Sequence, residues 1–217
     1  MTYSEMLQAF KVDYDIVNLE GPGYEDSEIF VLLNQAQEIE VIKEVDLRRH
    51  TFISNVIVNE KGTLATGLDY SNTKLYSPSQ EYIGYISSKS KIQRSTFKPI
   101  TSDQWVENIQ ITKEQSGKYL YNSLNSPLLL QPRVYEDTLK KFTVIYDIYT
   151  TFATSNNFEL EYVRKPIQIA TGVNCELNLM LHTRIVNTAV NLAKKVFNPT
   201  EAGNSAQVDA LINKPTQ

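Results

Sequence analysis

Residues 175–197 read CELNLMLHTRIVNTAVNLAKKVF, a stretch that holds the single Cys of the chain and one of its two His. Either it is a reactive centre or it is a helix that packs. Leu181, Ile185, Ala189, Leu192 and Val196 recur at helical spacing, and Val186, Val190, Ala193 and Phe197 form a second stripe beside them. Arg184, Asn187, Asn191 and Lys194 fill the opposite side. Such a wide apolar face predicts one amphipathic helix with a core on one side. Asn178 is positioned as its N-cap, because a side-chain oxygen there accepts a first-turn N–H. Lys194 and Lys195 suit the negative end of the helix dipole. Asn198-Pro199 stops the helix, since Pro lacks an N–H and disfavours helix in the residue before it.

The chemistry of Cys175 and His182 is weak by comparison. They stand seven positions apart, about 10 Å along a helix, and the second His, His50, is remote in sequence. A zinc site needs four ligands, or three and a water. A catalytic thiol needs an activating base and a shaped pocket. Both residues are therefore read as packing residues, with no metal, no cofactor and no catalytic residue assigned.

The chain has 217 residues, enough for one large domain or two small ones and for a core without disulfides. A net charge of −4 does not mark it as a nucleic-acid binder. One Cys excludes an intrachain disulfide framework and fits synthesis in a cytosol. MTYSEMLQAF carries an early acid and no long apolar run, so no signal peptide is read. No apolar run is long enough to span a membrane. The 13 Tyr beside a single Trp point either to β-sheet or to a protein-binding surface.

Outward from the last helix the pattern is helix, then strand. Thr2 and Glu5 form a capping box, and Met6, Leu7 and Phe10 give a first helix its apolar side. Gly21-Pro22-Gly23 is a break. A second helix starts near Asp26 and ends between Val45 and Arg49. Its stripe is Ile29, Leu32, Leu33, Ala36 and Ile39, with Glu38, Glu40, Lys43 and Glu44 outward. From Thr51 the sequence is β-like, with a turn at Lys61-Gly62. Short runs follow at Leu64–Leu68, Tyr82–Ile86, Ile92–Phe97 and Val106–Ile111. Ser77-Pro78, Lys98-Pro99, Ser116-Gly117 and Asn125-Ser126-Pro127 separate them, a spacing that suits antiparallel sheet. FTVIYDIYTTF, Phe142–Phe152, reads as one strand apolar on both faces, either central or facing a partner. Asn156-Asn157 then turns into FELEYVRKP as its hairpin partner. The polar end, residues 198–217, has one apolar cluster, Val208, Leu211 and Ile212, suited to docking on something else.

The fold class expected is α+β. N- and C-terminal helices (1–50 plus 175–197) form a small helical bundle, residues 51–174 a large antiparallel β-rich insertion, and 198–217 an extended assembly tail. Tyr146, Tyr149, Val208, Leu211 and Ile212 are the candidate subunit-interface residues. No phosphate loop or nucleophile elbow is present. Asp13 and Asp15 could touch a cation, but read more simply as solvated. Lys89, Lys91, Arg94 and Lys98, with Tyr82, Tyr85 and Phe97 nearby, could follow a nucleic-acid backbone. They also fit the charged face of an edge strand.

Four segments occur in order: MTYSEMLQAF, YEDSEIFVLLNQAQ (24–37), FELEYVRKP (158–166) and CELNLMLHTRIVNTAVNLA (175–193). Together they resemble the neck, or head-to-tail connector, ring proteins of tailed-bacteriophage virions, particularly the crAss-like group. In that family the last block reads C-E-L-P-E-H-x-H before I-V and an Ala/Leu-rich helix. Cys175, Glu176, Leu177, His182, Ile185 and Val186 match; Asn178 and Leu179 replace Pro-Glu, and Met180 replaces a His. The resemblance implies a non-enzymatic virion protein, made in the host bacterial cytoplasm, that forms a homo-oligomeric, dodecameric ring. Its implied partners are the portal and adjacent neck and tail proteins, with packaged DNA nearby and no membrane. The alternative is a capsid-decorating or tail protein whose Tyr-rich β region, with Trp105, binds host carbohydrate or protein.

Overall fold

The computed structural model of the chain describes residues 1–17, 23–66, 72–95, 103–120, 127, 130–137, 141–147 and 150–197. The chain divides into two compact units, residues 1–56 with 166–217 and residues 57–165.

The first unit is helical. Helix α1 spans Tyr3–Val17 and α2 spans Asp26–Asp46. A short 3-10 helix, His50–Val56, follows α2, and a long helix, α4, spans Leu179–Phe197. The start of α1 is the expected capping box: Thr2 N–H donates to Glu5 Oε2 at 2.7 Å, and Glu5 N–H to Thr2 Oγ1 at 3.2 Å. At the start of α2, Glu25 N–H donates to the Glu28 carboxylate at 3.0 Å. Helix α4 packs on both α1 and α2. Met6 and Phe10, Ile29 and Leu33, and Leu181 and Ile185 are buried in this unit.

The boundaries of this unit differ from expectation for two local reasons. Thr51–Val56 is 3-10 helix, not strand, and buries Ile53 and Val56. The segment before α4 belongs with the helices because α2 supplies it with hydrogen bonds. Asn34 Nδ2 donates to Ile169 O, Ile169 N–H donates back to Asn34 Oδ1, and Gln37 Nε2 donates to Ile167 O.

The second unit holds two five-stranded sheets. The first contains β1 (Ile57–Gly62), β10 (Phe158–Arg164), β4 (Tyr82–Ser95) and β5 (Gln104–Glu107) in that order, with β9 (Thr150–Phe152) also on β4. The second runs β2 (Ala65–Thr66), β3 (Thr73–Tyr76), β8 (Phe142–Ile145), β7 (Arg133–Glu136) and β6 (Ile109–Gln110). All pairs are antiparallel except β6 with β7. Leu64, Tyr76, Val144, Phe158, Leu160 and Tyr162 share one buried cluster drawn from both sheets. A short helix, α3, covers Lys113–Leu120.

Several sequence expectations are corrected here. Phe142–Phe152 is not one strand: β8 lies in one sheet and β9 in the other. Between the two strands Thr150 N–H donates to Asp147 O at 2.8 Å. Strand β10 therefore pairs with β1 and β4 instead of forming a hairpin with 142–152. Asn156 does turn the chain, at φ +47°, a conformation Asn tolerates. Tyr82–Ile86 and the start of Ile92–Phe97 are one strand, β4. Lys61-Gly62 ends β1, and Ser116-Gly117 lies inside α3. Residues 18–22, 67–71, 96–102, 121–126 and 198–217 lie outside the described residues, and with them Gly21-Pro22, Lys98-Pro99, Asn125-Ser126 and the tail.

Candidate functional site

The segment from Cys175 into the start of α4 holds the candidate chemistry of the sequence and, beside it, an exposed apolar pair. Asn178 Oδ1 accepts Met180 N–H at 3.0 Å, and Asn178 O accepts Leu181 N–H at 2.8 Å, so Asn178 caps α4 as its chemistry dictates. Behind the cap, buried Cys175 donates its thiol to Gln37 Oε1 at 3.2 Å. His182, also buried, sits with Nε2 3.0 Å from Leu177 O and Nδ1 2.7 Å from the Met1 amino group. A carbonyl only accepts, so Nε2 bears the proton and Nδ1 accepts from the ammonium.

These environments suppress reactivity. Burial pushes the Cys175 thiol up, against a smaller opposing effect from the Leu177 backbone. Burial also lowers the His182 pKa, the Met1 amino group adds to that, and the hydrogen bond to Leu177 opposes it. Attack on an electrophile needs a thiolate, which this site disfavours. Cys175 and His182 instead hold the helix start in place. Among the described residues, no group of three or more His, Cys, Asp or Glu is placed to hold a metal.

The rest of this end is tied on every side. Glu176 Oε1 accepts Ile167 N–H at 2.6 Å, and Glu176 O accepts Asn55 Nδ2 at 2.7 Å. Tyr3 N–H donates to Asn174 Oδ1 at 2.8 Å. On this fixed framework Leu179 and Met180 are each 70% exposed, and Ile167 and Val173 are exposed on the segment leading in. A single exposed Leu is ordinary. Two adjacent large side chains left bare on a hydrogen-bonded helix start make this end the candidate interaction surface. Of the ten large apolar side chains exposed among the described residues, only Ile109 and Leu130 belong to the β unit. Helical spacing held the signal: Met180 continues the polar face of Arg184, Asn187 and Asn191.

A second feature of this unit reverses the expectation from charge. Glu40 and Glu44 are buried, not outward, on the face of α2 that carries Leu33, Ala36 and Val41. Arg184 of α4 reaches both, with Nη2 2.6 Å from Glu40 Oε2 and Nη1 2.6 Å from Glu44 Oε1. Lys43 Nζ and Thr188 Oγ1 add bonds to Glu40 Oε1, at 2.7 and 2.9 Å. Buried carboxylates demand such partners. The cluster joins α2 to α4.

The predicted interface residues fare differently. Tyr146 is buried against its own chain, its ring edge-on to Phe152 with centroids 4.8 Å apart. Little of it is left for a neighbour. Tyr149, Val208, Leu211 and Ile212 lie outside the described residues. Of the basic set, Lys91 Nζ pairs with Asp103 at 2.7 Å, and Lys89 stands opposite Glu107 in the strand register. Lys98 and Phe97 are not described. Lys61 lies over the Trp105 ring at 5.8 Å. Asp15 is exposed and Asp13 half-buried on α1.

Of the seven described tyrosines of the β unit, Tyr76, Tyr82, Tyr146 and Tyr162 are buried. Tyr76 Oη and Tyr162 Oη donate to Glu60 at 2.6 and 2.9 Å, and Ser79 Oγ donates to the same carboxylate at 2.8 Å. One side chain of β1 thereby links β3 of one sheet to β10 of the other. Burial alone would raise the Glu60 pKa, but the three donors outweigh it and hold the carboxyl below its ordinary value. The helices described contain none long and apolar enough to cross a membrane. No family model and no curated protein matches the sequence.

Proposed function

We propose that the chain is a non-enzymatic structural protein of a tailed-bacteriophage virion. It forms a homo-oligomeric ring in the neck, joining portal to tail around the DNA channel. The observation that carries this reading is the bare Leu179–Met180 pair on a fully braced helix start, inside the same block, 175–193, that resembles the ring proteins. A ring subunit needs a rigid surface reserved for a neighbour, and heterologous contacts need two different ones. The suppressed Cys175 and His182 fit a structural role for the residues that looked most like chemistry. The carbohydrate-binding alternative would use exposed aromatic faces; Tyr76, Tyr82 and Tyr162 are buried, and Trp105 is half-buried with Lys61 over its ring.

Light scattering on the purified chain and imaging of single particles test the reading. Closed rings of uniform copy number are expected, and stoichiometric abundance in virions by mass measurement. A monomer at all concentrations, or catalytic traces in the particle, would refute it. Retention on a glycan array with no ring would favour the alternative.

A further inference from the structure

The two ends of α4 offer unlike and complementary apolar groups. At its start stand Leu179 and Met180, exposed on a braced cap. From its end, after Phe197, the sequence continues for twenty more residues, in which Val208, Leu211 and Ile212 recur at helical spacing between Pro199 and Pro215. From this arrangement we infer that residues 206–213 of one copy dock on the Leu179–Met180 surface of a second copy. The inference rests on the ring reading and specifies the contact that builds it.

Reach favours a second copy over the same one. Helix α4 has 19 residues, so its ends lie about 27 Å apart. Residues 198–205, which precede the docking segment, span at most roughly 28 Å when fully extended. To return along its own helix the segment must run nearly taut, which lowers its effective concentration at the surface. A neighbour placed end-on removes that constraint. An apolar edge at spacings i, i+3 and i+4 is also what a helix presents to an apolar surface. Because the acceptor pair lies at the start of α4 and the donor segment follows its end in sequence, the contact is head-to-tail. Repetition closes a ring where the rotation allows and makes a filament where it does not.

Crosslinking in the full chain tests this directly, since the one native Cys is buried. Chains carrying Met180→Cys and chains carrying Leu211→Cys are mixed and oxidised. A disulfide-linked dimer containing one of each is expected, together with loss of oligomer on truncation after residue 199. The truncated chain should keep its helical circular-dichroism signal. A link that forms only within single chains carrying both substitutions would make the chain's own tail the occupant and overturn the inference. Rings that survive truncation and yield no mixed dimer would overturn it and leave the ring reading standing. A full-length chain that never oligomerises would remove both.

Discussion

Arg184 Nη1 lies 2.6 Å from Glu44 Oε1, and Nη2 of the same guanidinium lies 2.6 Å from Glu40 Oε2, across the packing of α4 on α2. Both carboxylates are buried, whereas the Arg184 side chain is 40% exposed. The neighbouring acids raise the Arg184 pKa even though burial opposes them, so the charge is permanent. Removing the arginine leaves two carboxylates facing each other without their shared partner. Arg184→Met should therefore cost about 2–4 kcal/mol, below the fully buried limit because of that exposure. In a Glu40→Gln, Glu44→Gln background the same change should cost much less. Urea melts followed by helical circular dichroism measure both, and equal losses would contradict this account.

This pair also shows where sequence reading succeeds and fails. Positions 33, 37, 40 and 44 continue one helical stripe, so geometry alone placed both acids on the buried face. Their charge argued the other way and rotated the inferred stripe toward Leu32 and Ile39. Only the partner on α4 reverses that judgement, and a partner 140 positions away has no local signature. The caps at Thr2 and Asn178 were legible because a cap is a short-range bond between near neighbours. The α+β class followed from period changes along the chain. The break between β8 and β9 was not legible, because both strands share one apolar run. Tyr146 is open in the sequence for a related reason: a run apolar on both faces fits a central strand or a partner-facing one, and only the second sheet, which supplies Phe152, shows what covers it.

Gly62 tests the packing of the two sheets. A Cβ there would sit 2.4 Å from Tyr76 Cε2. The ring has little freedom to yield, being held by Glu60 at its hydroxyl and by Phe158 at a centroid distance of 4.8 Å. Gly62→Ala should destabilise the β unit by about 1–3 kcal/mol through overpacking. Adding Tyr76→Leu should make the alanine nearly neutral relative to Tyr76→Leu alone. Trp105, the sole tryptophan, belongs to the β unit, so denaturant melts read by its fluorescence report on the right part of the chain.

Glu60 should confer acid sensitivity on the same unit. Its folded pKa is lowered by Tyr76, Ser79 and Tyr162 despite the cost of burial. Such a group stabilises the fold fully above its ordinary pKa, and that stabilisation is lost as pH falls through the lowered value. Trp105 fluorescence melts between pH 6 and pH 3 should show a steady loss. Glu60→Gln should be less stable at pH 7 by about 1–3 kcal/mol and show a shallower loss in acid. An unchanged acid slope would mean that other carboxylates carry it.

His182 should act at a higher pH and on the helical unit. Its folded pKa is lowered, chiefly by burial, so the unfolded chain takes up the proton first. Stability is then complete above the ordinary His value, near 6.5, and declines as pH falls below it. Helical circular-dichroism melts at pH 7.5 and pH 5.5 should differ in the native chain. His182→Gln keeps a side chain able to bond Leu177 O and should remove most of that difference. A retained difference would locate the titration elsewhere.

The same helix should separate stability from assembly. Ile185 is fully buried where α4 packs, and Leu179 and Met180 are bare at its start. Ile185→Ala should lose about 2–5 kcal/mol, the transfer term and the cavity term together. Leu179→Ser with Met180→Ser removes side chains already in water, so the urea midpoint should move by no more than about 0.5 kcal/mol equivalent. If these two side chains are reserved for a neighbour, the loss appears instead as weaker oligomerisation in light scattering. Ile185→Ala, assayed in conditions where it remains folded, should still assemble. A double serine variant that melts early would place Leu179 and Met180 in the fold's own core. One that melts normally and assembles normally would leave the braced start of α4 without a role in the ring.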